Sequence, residues 1–367
     1  VYNIDCRFNG SNFKINNRTD WLFNSKIIGI DKIDKLLIIG CDPKREATVL
    51  NARIRKRWLT GDLEIFSLCT PNDLTYETTN LGSDISLLND SNFLKNIKNF
   101  FKNAVYPMII LGDSILSVEE GEKIHSKVKS LADDCKVVRD QWNGFCILSS
   151  YASRAGGLEI GFLPSKNGLN AKQIKKKLSE NKIKLLFLIE ADDFDFSDLE
   201  IKSTKVIYFG HHGDKLASKA DIILPITAFT EKKALYVNIE GRPQFTKKII
   251  QNKGMAVDCW KIFRALADKF NLNFDYNSHE QLLSKIFIEN CEMPKEKLKL
   301  KFAYDILCNL KQYKDLTKEY LETYPKLIGM IPELQETQKC VINKLTLVIT
   351  QNNTYAIGYI TDYLVSH

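Results

Sequence analysis

The stretch Leu36-Leu37-Ile38-Ile39-Gly40-Cys41-Asp42-Pro43 decides the fold class. Its apolar run ending in glycine predicts a buried parallel strand, because strands covered on both faces are continuous in apolar residues. A turn at Cys41 to Pro43 precedes residues 45–59, whose apolar side chains recur at helical spacing. Residues 63–66 begin another apolar strand. The sequence therefore predicts a β-α-β unit with a right-handed crossover.

The same alternation continues along the chain and predicts an α/β fold with a doubly wound, mostly parallel, Rossmann-like sheet. The predicted strands are 108–112, 136–139, 185–189, 206–210 and 222–225, and the predicted helices between them are 118–131 and 171–180. Residues 234–238 and 241–245 are typical of a hairpin that turns at a glycine. A further helix is predicted at 258–270, with Asp258 as its N-cap and with an inner face of Ile262, Phe263, Leu266 and Phe270.

These segments divide the chain into three parts. Residues 1–30 form an irregular lead-in, residues 31–276 form the α/β domain, and residues 277–367 form a mainly helical C-terminal extension. The extension is rich in Lys and Glu, and its predicted helices are 298–313 and 316–324. Val1 stands where an initiator Met is usual, which we interpret as a processed chain or a piece of a longer one.

Composition narrows the class of protein. The chain has 367 residues, of which 44% are hydrophobic, and a net charge of +7. Its lysines are dispersed among acidic residues without a nucleic-acid-binding motif, so we expect no nucleic-acid partner. Its apolar runs are far shorter than the ~20 residues of a membrane-spanning helix, so we expect no direct membrane span.

The cysteines are scattered along the chain, odd in number and never spaced C-x-x-C. They are Cys6, Cys41, Cys69, Cys135, Cys146, Cys259, Cys291, Cys308 and Cys340. Iron–sulfur clusters and structural zinc sites use clustered thiolates. We therefore interpret these residues as mostly buried, reduced thiols and expect neither a cluster nor a metal in this chain.

Three segments could bind a ligand or serve the fold alone. The turn at Gly40 lies where Rossmann-like folds bind phosphate, but it lacks G-x-G-x-x-G and carries acidic Asp42 and Glu46. The glycine-rich stretch 153–161 admits a close ligand or a tight loop. His211 and His212 follow a strand, although adjacent histidines rarely face one ligand. The structural interpretation is favoured for all three, and a nucleotide, a ligand and a metal remain the alternatives.

The most specific element consists of Asn238, Glu240, Gly241, Arg242 and Gln244. Its amide, carboxylate and guanidinium groups on a turn could hold a planar polar ligand such as a pterin or guanine. They could equally form an internal hydrogen-bond knot that closes the hairpin. The residues alone leave both interpretations open.

This element, with the segments 220–225 and 230–231, resembles the hallmark of the molybdopterin oxidoreductase family. Within that family, several segments are similar to the large iron–sulfur subunit of respiratory complex I, the 75-kDa or G-type subunit. They are 51–56, 73–76, 142–145, 152–164, 210–214 and 258–261. The resemblance extends from about residue 21 to 276, and residues 358–362 are similar to a short motif near the C-terminus of mitochondrial forms.

The resemblance implies a non-catalytic structural part of NADH:ubiquinone oxidoreductase, a proton-translocating enzyme complex. Asn238, Glu240, Gly241, Arg242 and Gln244 would then be a vestigial pterin site, with no catalytic residue in the chain. Iron–sulfur clusters and FMN are expected in partner chains: a separate cluster-bearing N-terminal half and other peripheral-arm subunits. The implied location is the matrix side of the mitochondrial inner membrane, or alternatively the cytoplasmic side of a bacterial plasma membrane. The alternative function is one half of an active molybdopterin-dependent oxidoreductase.

Overall fold

A computed structural model describes residues 2–13, 15–192, 194, 203–212, 216–274, 276–279 and 281–282. The predicted helices at 298–313 and 316–324, the short motif at 358–362 and three of the cysteines lie outside these residues. No helix in the described part of the chain is long and apolar enough to cross a membrane.

The first half of the described chain builds a parallel sheet. Its strands and a small antiparallel ribbon are β1 (Lys35–Ile39), β2 (Glu64–Leu68), β3 (Thr79–Asn80), β4 (Pro107–Gly112), β5 (Val138–Arg139), β6 (Trp142–Asn143) and β7 (Phe145–Leu148). The sheet order is β3-β2-β1-β4-β7, with every neighbouring pair parallel. The chain reverses its direction of winding between β1 and β4, so these two strands flank the topological switch point.

Helices cover both faces of this sheet. They are α1 (Pro43–Glu46), α2 (Thr48–Trp58), α3 (Ser91–Phe101), α4 (Gly121–Asp134) and α5 (Arg154–Glu159), with 3-10 helices at Arg18–Asp20, Ile27–Lys32, Ile85–Asn89 and Ser114–Ser117. One buried cluster joins Ile109 and Leu111 to α3 and α4. The other joins Ile110 to α2 through Ile54. The predicted doubly wound, mostly parallel α/β fold is thus confirmed.

A second, smaller parallel sheet follows. The remaining elements are α6 (Ala171–Ser179), β8 (Leu185–Ile189), β9 (Lys205–Gly210), a 3-10 helix at Ala217–Lys219, β10 (Ile222–Pro225), β11 (Ala234–Val237), β12 (Pro243–Thr246) and α7 (Cys259–Lys269). The sheet order is β10-β9-β8. Helix α6 packs on one face, and α7 packs on the other through Phe263, whose ring stacks on Phe209 at 5.2 Å. Strands β11 and β12 form the predicted antiparallel hairpin.

The lead-in is irregular in backbone apart from its two 3-10 helices, yet it is part of the packing. Cys6, Phe13 and Phe23 are buried, and Phe23 forms an antiparallel bridge with Cys146 of β7. The described part of the lead-in therefore packs into the core of the first sheet.

Several sequence predictions were wrong in detail. The helix predicted at 45–59 is divided at Ala47, whose extended φ of −152° separates α1 from α2. The helix predicted from 118 begins at Gly121, because Val118 is extended after a 3-10 turn. The strand predicted at 136–139 shrinks to β5, which pairs with β6 outside the parallel sheet.

The end of α7 also differs from the prediction. Phe270 is 69% exposed because it lies beyond the last helical turn, whereas the predicted Ile262 and Phe263 do pack inward, beside the buried Cys259. The Asp258 side chain does not cap α7. It accepts a hydrogen bond from Thr227 at 3.1 Å.

Candidate functional site

The element Asn238 to Gln244 forms the turn between β11 and β12. Gly241 has a φ of +73°, a left-handed conformation that favours glycine. A Cβ at this position would also collide with the Arg18 guanidinium and with Leu22. The glycine is therefore required both by the backbone conformation and by the close approach of the lead-in.

Asn238 organises this turn through its side-chain amide. Its Oδ1 accepts hydrogen bonds from the backbone N–H groups of Glu240 at 3.0 Å and Arg242 at 2.9 Å. Its Nδ2 donates to Glu240 Oε2 at 3.1 Å. The amide oxygen and nitrogen thus both form hydrogen bonds inside the turn, as expected if the element is an internal hydrogen-bond knot.

The turn is also fastened to the lead-in. The Ile27 N–H donates to Glu240 Oε1 at 2.6 Å, and the Phe23 N–H donates to the Ile239 carbonyl at 2.7 Å. Arg18 donates to the Gly241 carbonyl at 2.6 Å. The turn and its contacts with Arg18, Phe23 and Ile27 are called the hairpin knot below.

Arg18 extends the hairpin knot to α5, where it forms an ion pair with the buried Glu159. Burial raises the pKa of Glu159, and the Arg18 charge opposes that rise. Strand β11 is held by the same neighbourhood, because the Val237 N–H donates to the Ser153 hydroxyl at 2.9 Å. The hairpin thus joins the lead-in to α5.

The hairpin knot does not fit a pterin at Asn238 and Glu240. A pterin needs free donors and acceptors that converge on its ring edge, whereas the polar atoms of these two side chains already have partners within the protein. The Arg242 Nε lies 3.9 Å from Glu240 Oε2 on the more exposed side of the turn. Asn238, Glu240 and Gly241 therefore fasten the turn, while Arg242 precedes β12 and Gln244 lies within it.

A cleft of about 690 Å³ opens at the carboxyl ends of β1 and β2, beside the topological switch point. Asp42 occupies the phosphate position, accepting from the Lys44 N–H at 3.1 Å, and Glu46 accepts from the Asp42 N–H at 2.6 Å. These carboxylates engage the amides that a phosphate would use and repel its charge. The geometry therefore supports the structural interpretation of this turn.

Two thiols line the narrow part of this cleft, Cys41 and Cys69. Burial raises the pKa of Cys41 well above its ordinary value, and the carboxylates of Glu46 and Asp42 add to the rise. Burial likewise raises the pKa of Cys69. Both groups are therefore protonated thiols near neutral pH. No cluster of His, Cys, Asp and Glu suited to a metal occurs among the described residues.

The glycine-rich stretch 153–161 contains the short buried helix α5. A Cβ at Gly157 would lie 2.9 Å from the Cys6 side chain, so glycine permits the lead-in to pack closely. The buried Arg154 donates to Asn9 and Ser11, each at 3.1 Å. The glycines here serve close packing of protein on protein.

Sequence reasoning missed a buried ion pair at the carboxyl end of β8. Glu190 Oε1 accepts from Lys232 Nζ at 2.8 Å, and both side chains are less than 5% exposed. Glu190 Oε2 is buried without a hydrogen-bond partner. Burial raises the pKa of Glu190 against the opposing charge of Lys232. The available signal was a charged residue placed directly after the apolar run 185–189.

His211 and His212 lie at the end of the neighbouring strand β9. Their Nδ1 atoms contact each other. Burial lowers the pKa of His211, and the nearby His212 and Lys232 lower it further. His211 is therefore neutral near pH 7, in the neighbourhood of the buried Lys232.

The fold and the site together define an α/β protein with two parallel sheets and a hairpin whose turn has the sequence N-x-E-G-R-x-Q. The family model of the molybdopterin oxidoreductases matches residues 2–269. The chain belongs to the molybdopterin oxidoreductase family.

Individual relatives show which members of this family the chain is similar to. The chain is 37% identical to the G-type subunit of the NADH-quinone oxidoreductase of Rickettsia bellii over 270 residues, covering 73% of the chain and 38% of that protein. It is 36% identical to the mitochondrial NADH-ubiquinone oxidoreductase 78 kDa subunit of Neurospora crassa over 275 residues, which are 73% of the chain and 35% of that protein.

A third relative is the NADH-ubiquinone oxidoreductase 75 kDa subunit of Reclinomonas americana. It is 38% identical over 275 residues, which are 72% of the chain and 38% of that protein. The resemblance to large subunits of NADH:quinone oxidoreductase is thus confirmed. The chain spans between 35% and 38% of the length of these relatives.

Proposed function

We propose that this chain is a non-catalytic structural part of an NADH:quinone oxidoreductase. Its relatives are subunits of that enzyme, and the observation that carries the non-catalytic role is the hairpin knot. Asn238 and Glu240 are the side chains best suited to hold a pterin, but they form hydrogen bonds within the turn and with the lead-in. The domain contributes shape and packing surface, and the electrons pass through other chains.

The proposal extends to partners and location. A separate chain would supply the cluster-bearing N-terminal half, and the iron–sulfur clusters and FMN would reside in that chain and in other peripheral-arm subunits. Support for the complex as the partner comes from the relatives, which are subunits of NADH:quinone oxidoreductases. We place the complex on the matrix side of the mitochondrial inner membrane, with the bacterial cytoplasmic side as the alternative.

One observation favours a second candidate, half of an active molybdopterin-dependent oxidoreductase. Glu190, with its unpartnered Oε2, lies at the carboxyl end of a parallel strand, where α/β proteins place ligands. His211 adds a neutral imidazole at the next strand end. A ligand donor could satisfy the free carboxylate oxygen.

The test is purification of the tagged chain under mild detergent, with mass-spectrometric identification of its companions. Iron and molybdenum are quantified on the same sample. We expect flavin- and cluster-bearing subunits of NADH:quinone oxidoreductase, with molybdenum at the level of an untagged control. A small assembly with stoichiometric molybdenum would refute the structural role and establish the second candidate. Stoichiometric iron in the separated chain would contradict the absence of a cluster.

A further inference from the structure

The outward face of α2 carries an unusual row of side chains. Val49, Ala52, Lys56 and Leu59 are all exposed, and they are called the α2 stripe below. At about 3.6 residues per turn these positions lie within about 80° of one another, along roughly 15 Å of helix. The opposite face of α2 is buried through Leu50 and Ile54. The helix is therefore fixed in the core with this row turned outward.

The apolar members of the α2 stripe are exposed to a degree that the fold does not require. Val49 is 84% exposed, and Leu59, which caps the helix, is 64% exposed. Within their bounds the described helices α3, α4, α6 and α7 carry no exposed large apolar side chain, whereas α2 carries Val49; Leu59 is the C-cap of α2, as the exposed Phe270 is of α7. The outward side of α3, for example, presents Asn92, Lys95 and Asn99. Apolar residues at both ends of one outward row indicate a surface that another molecule covers.

The charges around the α2 stripe are of two kinds. Arg53 forms a two-point ion pair with Asp31, in which Nε lies 2.9 Å from Oδ1, and Arg57 pairs with Asp62. Lys56, in the middle of the stripe, and Arg55, on its flank, pair with no carboxylate within the part of the chain that the structure describes. Lys56 acts through space on Asp31, and Arg55 on Asp73. Neither cation has a direct ion-pair partner among the described residues, unlike the neighbouring Arg53 and Arg57.

We propose that the α2 stripe docks an acidic amphipathic segment of a partner subunit, a proposal that rests on the assembly role proposed above. The partner covers Val49 and Leu59 with apolar side chains and places a carboxylate against Lys56. A wholly apolar partner would bury Lys56 with no direct ion-pair partner among the described residues, because the nearby Asp31 carboxylate is already bound to Arg53, and such burial is unfavourable. The complementary charge is therefore part of the fit, and Arg55 strengthens it at the edge.

Other occupants fit this surface less well. A nucleic acid would contact the cations through phosphates but would gain nothing from the apolar ends of the stripe. A membrane surface takes helices whose whole apolar face enters the lipid, whereas the apolar face of α2 is already in the protein core. A protein segment satisfies both features at once.

The first experiment places p-benzoylphenylalanine at position 49, and separately at position 59, in the chain within the assembled complex. Irradiation followed by mass spectrometry identifies what lies against each position. We expect both positions to cross-link to one segment of one partner polypeptide, with Asp or Glu within a helical turn of the attachment points. Cross-links to lipid, to nucleic acid or to a segment without carboxylates overturn the proposal, as does the absence of cross-links in an intact complex.

A charge exchange then tests the Lys56 contact. Lys56→Glu is expected to lower the fraction of the chain found in the complex by about tenfold or more, because like charges across an interface repel. Replacing the facing carboxylate of the partner by Lys should restore assembly, which a misfolded variant would not allow. Lys95→Glu, the same change on exposed α3, is the matched control and should leave assembly unchanged.

The outcomes separate this proposal from the assembly role on which it rests. An unmodified chain that does not co-purify with subunits of NADH:quinone oxidoreductase refutes that role. A chain that co-purifies equally well with Lys56 and with Lys56→Glu refutes the docking surface and leaves the role intact.

Discussion

The two parallel sheets of this protein solve the same packing problem differently. All six residues of β4 are buried in the first sheet, whereas Leu185 and Phe187 of β8 and Ile222 of β10 are exposed in the second. Both sheets bury an ion pair at a strand end: Asp113 after β4 lies 3.4 Å from Arg154, and Glu190 after β8 lies 2.8 Å from Lys232. The two sheets therefore differ in how completely their strands are buried rather than in the use of paired charge.

The largest expected effect tests the ion pair of the second sheet. Lys232→Met leaves Glu190 buried without its counter-charge, which we expect to cost about 3–5 kcal/mol in the free energy of unfolding. Urea denaturation followed by tryptophan fluorescence measures this loss. The double variant Lys232→Met with Glu190→Gln should recover most of it. Equal destabilisation by the single and double variants would show that the pairing is unimportant.

The next effect contrasts apolar side chains of the two sheets. Ile110→Ala opens a cavity in the fully buried β4 and should cost about 2–5 kcal/mol. Ile222→Ala removes a side chain that is 50% exposed and should cost less than about 1 kcal/mol. Both losses in the free energy of unfolding are obtained from the midpoints of denaturant unfolding, provided that the dependence of the free energy on denaturant concentration is the same for each variant. Similar losses in the two variants would contradict the proposed difference between the sheets.

We expect the hairpin knot to contribute to the stability of the first sheet and its lead-in. Gly241→Ala strains a left-handed backbone and crowds Arg18, so we expect a loss of about 2 kcal/mol. Gly61→Ala has a φ of +89° but nothing within 4 Å of the new Cβ, and should cost about 1 kcal/mol. Hydrogen exchange should accelerate in residues 18–27 and 234–237 of Gly241→Ala. Acceleration confined to β9 would place the hairpin energetically with the second sheet.

The smallest expected effect is a pH dependence of the free energy of unfolding, caused by a histidine that packs against the first sheet. His125 of α4 is buried, and its Nε2 lies 2.9 Å from the Asp20 carbonyl. Burial lowers its pKa from the ordinary value of 6.5. The unfolded chain thus binds a proton first, and the stability due to neutral His125 is lost as the pH falls below that value.

The measurement compares wild type with His125→Gln, which can still donate to the carbonyl but cannot titrate. We expect wild type to lose more stability than the variant between pH 7 and pH 5. The difference between the two proteins isolates His125, because the raised pKa values of Glu159 and Glu190 act with the opposite sign in both. Parallel pH profiles would show that His125 is not responsible.

Most strands of the two sheets were predictable because each is an uninterrupted apolar run in the sequence, whereas β3 and β7 were not predicted. Residues 36–40 and 185–189 were predicted, and β1 and β8 occupy Lys35–Ile39 and Leu185–Ile189. Helix boundaries were less predictable, because no Gly or Pro marks the break at Ala47 in the sequence. Phe270 was misplaced for the same reason, since helical spacing alone does not show where a helix leaves the core.

The candidate site was likewise only partly predictable from the sequence. The residue types of the hairpin were recognisable, but the choice between a ligand wall and an internal knot depended on Arg18, Phe23 and Ile27, which are distant in sequence. The pairing of Glu190 with Lys232 was hidden because the two residues are 42 positions apart and share no local pattern. Long-range polar contacts of this kind leave no periodic signal in a sequence.

The contact between Arg18 and Gly241 has a consequence for synthesis on the ribosome. The two residues are 223 positions apart, so the lead-in emerges long before the hairpin that fastens it. At about 5–20 residues per second, the interval is roughly 10–45 s. During that time Arg18, Phe23 and Ile27 cannot form their native hydrogen bonds with the hairpin. A chaperone or an assembly partner that binds the nascent lead-in has this interval in which to act, and completion of the hairpin ends it.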